Sequence, residues 1–167
     1  MGLSVALIEP QIPPNTGNIA RLCAATATTL HLVGPLGFSL EDNALKRAGL
    51  DYWEHVDLWI HPFWRVFRDA VSTDRCLYFS ARAERSYLDA PFTGNSVLVF
   101  GNETEGMPQR IRDKHPERLF RIAMRDAVRS LNLSTAVGIV LYEAVRQTGL
   151  ELDPGHDVTT QPLRTHS

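Results

Sequence analysis

Cysteine and lysine are nearly absent from this chain, with two of each in 167 residues. Cys23 and Cys76 cannot build a disulfide framework. No Cys-x-x-Cys and no paired histidines stand at metal-ligand spacing, so neither a structural nor a catalytic metal is expected. Both thiols read as small buried hydrophobes in a reducing compartment. Long apolar runs are missing too. The run Leu3 to Ile8 is too short for a signal-peptide core and lacks a basic lead, and no later run approaches membrane-spanning length, which points to a cytoplasmic protein without a membrane partner. Nor is there an excess of positive charge: the formal charge is -2 and the pI is near 6.3. That excludes attachment to nucleic acid by bulk charge and leaves room for a local patch. The cations are almost all arginine, fifteen in number. Guanidinium forks suit phosphate and stack on bases, although a compositional bias of the source genome gives the same skew.

What is present is one uninterrupted α/β pattern, read as a single domain over residues 1–150 with a disordered tail at 151–167, where no apolar period survives. Leu3 to Ile8 is the near-continuous apolar run of a parallel strand buried on both faces. Pro10, Pro13 and Pro14 read as interrupting regular structure, after which Asn15 or Thr16 caps a helix from Gly17 to about Thr28, with Ile19, Leu22 and Cys23 inward. Leu30 to Val33 is a second strand closed by Gly34-Pro35-Leu36-Gly37. A short helix is expected at Glu41 to Ala48. Tyr52-Trp53 and Trp59 to Trp64 then place aromatics in loops and at element ends. The stretch Trp64-Arg65-Val66-Phe67-Arg68 fits RNA stacking, but its helical spacing favours core packing with a charged outer face. Cys76 to Phe79, Val97 to Phe100 and Leu119 to Ala123 read as strands, Ser80 to Thr93 as a polar loop, and Pro108 to His115 as a short helix. From Leu133 the apolar residues Ala136, Val137, Val140, Leu141, Ala144 and Val145 follow helical spacing, and Gly149 supplies a left-handed stop.

Three stretches carry chemistry. Glu9 to Arg21 (EPQIPPNTGNIAR), Gly101 to Gly106 (GNETEG) and Arg129 to Ser134 (RSLNLS) place Gly, Asn and charged residues after strand-like runs or at a helix start, where open α/β sheets gather ligands. Taken alone, Ser130 and Asn132 are no more than an N-cap. Gly101 and Gly106 resemble the outer glycines of a phosphate loop, but Met107-Pro108 follows where Lys and Ser or Thr are needed, and the middle glycine of a dinucleotide fingerprint is missing. Neither ATP nor NAD is favoured.

With these stretches in this order, the chain resembles the SPOUT class of S-adenosylmethionine-dependent RNA methyltransferases, and within it the tRNA wobble-position ribose 2'-O-methyltransferases. Pro13-Pro14-Asn15-Thr16-Gly17-Asn18 with Arg21 is similar to the first motif of that class. Gly101-x-Glu103-x-x-Gly106 is similar to the second, and Arg129 to Ser134 to the third. The likeness runs from about Leu3 to Leu150. It implies a parallel-sheet α/β fold with a deep C-terminal trefoil knot, an obligate homodimer and a tRNA partner. It also implies a donor site near Phe79, Gly101, Ile122, Met124, Ser130 and Leu131, and catalytic roles for Arg21, Glu103, Ser130 and Asn132. RNA contacts are expected from Asn15, Arg82, Arg85, Arg125 and Arg129, although Arg82 and Arg85 fit a solvated surface nearly as well. Departures from the subgroup stand at Asn102, where proline is usual, and at Glu105, where a basic residue is usual; both bear on loop rigidity and RNA contact more than on donor binding.

The expected reaction is methyl transfer to the 2'-hydroxyl at anticodon position 34. Alternatives are another RNA ribose or a base nitrogen on the same fold, or a non-catalytic RNA-binding module. A guanidinium holds its proton and has no lone pair to offer, so Arg21 is expected to act as a fork on phosphate rather than as a base. Glu103 is expected to accept a proton through water or to fix the loop of the third motif, its plainer reading being a carboxylate that bonds loop N–H groups.

Overall fold

The computed structural model describes residues 2–41, 43–49 and 53–152. Tyr52 and residues 153–167, which include nearly all of the expected tail, lie outside them. The strands are β1 (Ser4–Ile8), β2 (Thr29–Val33), β3 (Leu58–His61), β4 (Cys76–Phe79), β5 (Val97–Phe100) and β6 (Leu119–Phe120). The helices are α1 (Pro13–Ala25), α2 (Asn43–Gly49), α3 (Trp64–Ala70), α4 (Gln109–Lys114) and α5 (Leu133–Thr148). The strands form one parallel sheet in the order β3-β2-β1-β5-β4-β6. Every residue of β1, β4 and β5 is buried, which is why these segments, Ser4 apart, run apolar rather than alternating. Leu7, Leu98 and Phe100 face a core shared with α1 and α5, while Ala6, Ile8 and Val99 face one shared with Phe67 of α3 and Ile111 of α4. Strand order reverses between β1 and β5, the place where such sheets open a crevice.

The terminal helix follows its sequence pattern closely. Leu133, Val137, Val140, Leu141, Ala144 and Val145 are buried, Asn132 is the N-cap, and Gly149 ends the helix at φ 65. Cys23 and Cys76 are both buried free thiols, and burial pushes them up to about 12 and about 11, which leaves them unreactive.

Four expectations are corrected. Helix α1 starts at Pro13 rather than Gly17, so Asn15 and Thr16 lie inside it and are buried, and Ile12 stands at the N-cap with no side-chain cap. Proline is at home in a first helical turn, where its missing N–H costs nothing, and so the two prolines start regular structure instead of blocking it. The helix also ends at Ala25, short of Thr28. The aromatic stretch at Trp59 holds an edge strand, β3, and β6 stops at Phe120 instead of running to Ala123. Core packing is what the structure gives Trp64 and Phe67, whose rings lie 5.1 Å apart, with Arg65 and Arg68 exposed.

One buried polar pair lies beneath the sheet edge. His31 Nδ1 and His61 Nε2 are 3.0 Å apart, with Phe67 edge-on to both rings. Burial, then His61 and the charge of Arg75, push His31 down to about 4 against an opposing effect from Asp57, and burial lowers His61 as well. A histidine whose folded value is depressed stabilises the fold fully above its unfolded value near 6.5, and that stability drains as pH falls toward 4. The unfolding free energy is therefore expected to be roughly 2 kcal/mol smaller at pH 5 than at pH 7.5. Urea titrations at the two pH values measure this, and His31→Gln should flatten the difference.

Candidate active site

The loops that leave β1, β4 and β5 at their C-terminal ends meet the start of α5. Gly101 ends β5 where the chain folds back on itself: a Cβ there would overlap the backbone of Gly106 and Met107, so only glycine permits the turn. Gly106 closes it with φ 69 and donates its N–H to Asn102 O at 3.2 Å. Within the turn, the Glu103 carboxylate reaches across to the β1 loop and accepts the N–H of Gln11 at 3.1 Å and of Ile12 at 2.5 Å. Those are the last N–H groups before Pro13 and Pro14, which have none, so the charge of Glu103 stands at the positive end of α1 where a cap is lacking.

The third wall is the α5 N-terminus. Asn132 Oδ1 accepts from Ser134 N at 3.0 Å, Ser134 Oγ at 2.6 Å and Thr135 N at 3.4 Å, while Nδ2 donates to Asn15 Oδ1 at 3.1 Å. This last bond ties the first motif to the third. Nδ2 retains a second hydrogen for another acceptor.

These loops enclose a cavity of about 660 Å³, within the size range of small-molecule sites. Phe79, Gly101, Ile122, Met124, Ser130 and Leu131, the six residues expected at the donor site, all line it. So do Glu103, Asn132, Asn15, Arg82 and Arg129. Asn102, singled out in the sequence as a departure from the subgroup, also lines it, as do Ile12, Thr104 and Met107, to which the sequence gives no role; of these three, Ile12 carries a signal, an apolar residue where helix entry calls for a polar one. Apolar walls from Phe79, Ile122 and Leu131, with the exposed turn glycine Gly106 at the rim, suit a nucleoside carrying a small polar tail.

Three expected residues are not brought to this cavity. Arg21 lines a separate groove of about 350 Å³, with Asn18, Leu22, Ser134 and Thr135, and this groove shares no lining residue with the cavity. Arg85 donates to Glu117 O and lays its guanidinium 4.6 Å from the centre of the Phe120 ring. Arg125 is exposed on the loop before α5 and touches neither cavity. Among the described residues, no group of three or more His, Cys, Asp or Glu is placed to hold a metal ion, and no helix is long and apolar enough to cross a membrane.

This geometry has close counterparts. The tRNA (cytidine(34)-2'-O)-methyltransferase of Methylovorus glucosotrophus is 48% identical over 144 residues, which cover 86% of this chain and 94% of that protein. A solved structure described as giving insight into 2-OH methylation of C/U34 on tRNA superposes with a TM-score of 0.81 at 45% identity, covering 87% of this chain and 95% of that one. The SpoU methyltransferase AviRb from Streptomyces viridochromogenes, solved in complex with the cofactor AdoMet, gives 0.78 at 26% identity, covering 87% of this chain and 57% of that one. The fold is thus that of the SPOUT methyltransferases. With the SpoU rRNA methylase family model matching residues 2–142, this chain belongs to that family.

Proposed function

We propose that this protein transfers a methyl group from S-adenosylmethionine to the ribose 2'-hydroxyl of the wobble nucleotide, position 34, of tRNA. The observation that carries the reading is the cavity at the strand-order reversal, where the three motifs meet and all six expected donor-site residues stand together. Bound there, the donor supplies an electrophilic methyl group on a sulfonium. Phe79, Ile122 and Leu131 hold its apolar parts and exclude water, and backbone groups at Gly101 and Met124 meet its polar edges. Ser130 and the second hydrogen of Asn132 Nδ2 orient the ribose hydroxyl, whose proton passes to water as its oxygen takes the methyl group and the donor leaves as the neutral thioether. Glu103 acts as a clamp, because backbone donors already occupy its carboxylate. The chain passes from β6 back to α5 through the trefoil knot of the class, and it works as a cytoplasmic homodimer in which Arg21 of a second copy completes each site. The groove in which Arg21 lies, outside the donor cavity of its own chain, supports that assignment.

Arg82 and Arg129 at the cavity and Arg125, exposed on the loop before α5, face the tRNA phosphates, Asn15 meets the RNA from inside the cavity, and Arg85 adds to this face while bracing β6. Arg82→Ala is therefore expected to reduce the salt slope of tRNA binding by about one phosphate contact. Arg85→Ala should in addition lower thermal stability, because it removes the cation from the Phe120 ring. Binding titrations over a salt series and melting curves separate the two effects.

The reading is tested by mass-spectrometric mapping of 2'-O-methyl nucleosides in total tRNA incubated with the protein and donor. New methylation confined to position 34 supports it. Methylation elsewhere, or none, contradicts it.

A further inference from the structure

Resting on that functional reading, we infer that Asn102 is a positioning residue for methyl transfer, acting through Glu103 and Thr104 to fix where α1 begins. Its side chain is buried, and Oδ1 accepts the N–H groups of Thr104 at 3.1 Å and Glu105 at 2.7 Å. With the Gly106 N–H on its own carbonyl, Asn102 closes the whole turn from both sides. This is a side chain doing what a rigid ring does elsewhere, by bonding the backbone two and three residues on.

The turn is laced to the β1 loop at two points. Glu103 holds the N–H groups of Gln11 and Ile12. Thr104 Oγ1 lies 2.8 Å from Gln11 Oε1 and 3.3 Å from Asn102 Oδ1; having one hydrogen, it donates along the shorter path. Gln11 has no room to follow a displaced turn, because Gly37 packs against it so closely that a Cβ on that glycine would stand 2.8 Å from Gln11 Cα. Next along the chain, Ile12 O accepts the N–H of Asn15 at 3.1 Å, and Asn15 Oδ1 accepts from Asn132. A continuous set of bonds thus runs from Asn102 through the start of α1 to the α5 N-cap that presents Ser130 and Asn132 to the reacting hydroxyl. Asn102 stands in the wall of the cavity, and its part in this account is to set the spacing of the groups that orient the reacting hydroxyl.

The test compares wild type, Asn102→Ala and Asn102→Asp, the last keeping an acceptor at Oδ1. Amide hydrogen exchange should quicken at Gln11, Ile12 and Glu105 in the Ala variant and return toward wild type in the Asp variant. With tRNA, the Ala variant should lose kcat by roughly tenfold to a hundredfold, as displacement of positioned groups by about an ångström does. KM for tRNA should stay nearly constant, and Asp should restore most of kcat. Unchanged exchange at Gln11 and Ile12, a wild-type kcat for Ala, or equal loss in Ala and Asp overturns the inference. Should wild type transfer no methyl at all, the functional reading falls, while the exchange comparison still decides whether Asn102 holds the loop.

Discussion

The substitution Gly101→Ala is expected to remove the donor site. The added methyl group would overlap the carbonyl carbon of Gly106 and the N–H of Met107, and both are backbone, so no side-chain rotation relieves the clash. Met107 is buried against the lower core and Gly106 is held by its bond to Asn102. The turn from Gly101 to Met107 therefore has to open as a unit, carrying Glu103 away from Gln11 and Ile12. Overpacking of this kind costs about 1–3 kcal/mol where the surroundings yield and more where they do not. Spent on the site, it corresponds to a loss of donor affinity on the order of a hundredfold, readable by calorimetry. Gly94→Ala is the control, since a Cβ there meets nothing within 4 Å and should leave affinity and melting unchanged. Full-strength donor binding by the Gly101→Ala protein would show that the turn is not the donor's cradle.

The second large effect is expected at Arg21, and it should appear in turnover alone. Its groove shares no lining residue with the cavity proposed for the donor, so substitution is expected to leave the six residues proposed for the donor site in place. Arg21→Lys keeps a cation but replaces a planar fork with a point charge, and a bidentate hold on phosphate is lost. Removing one preoriented donor from a transition state costs on the order of 10²–10³ in kcat. Turnover should fall by about that much while donor affinity stays at the wild-type value, and the pH–rate profile should keep its wild-type limb. If the Lys variant instead shows a new ionisation several units lower, with turnover restored above it, the residue at 21 is the base.

Much of this was legible before any coordinates. Strands β1, β4 and β5 are buried on both faces, so their apolar runs are nearly continuous and read directly as strands. Helix α5 declares itself by its stripe, its Asn132 cap and its Gly149 stop. Strand β3 escaped because it lies at the sheet edge: with Trp59 and Ile60 exposed and Leu58 half-buried, burial leaves no period to read. The start of α1 was misplaced because its cap is not local. The N-cap residue Ile12 offers no side-chain bond of its own; the Glu103 carboxylate, 91 residues away, takes its N–H, and no sequence window contains both partners. The same holds for Asn15 with Asn132, 117 residues apart. Composition and motif located the three loops, but only the fold shows that they are bonded to one another. Asn102, a departure that suggests a looser turn, proves to bind that turn with its own side chain.

The central claim is chemical: the acceptor is the 2'-oxygen of nucleotide 34. An anticodon stem-loop RNA and its twin carrying a single 2'-deoxy substitution at that nucleotide differ by this one atom. Incubated with the protein and labelled donor, the ribose form is expected to gain one methyl group and the deoxy form none. Equal labelling of both would place the methyl group on a base or on another ribose and contradict the account.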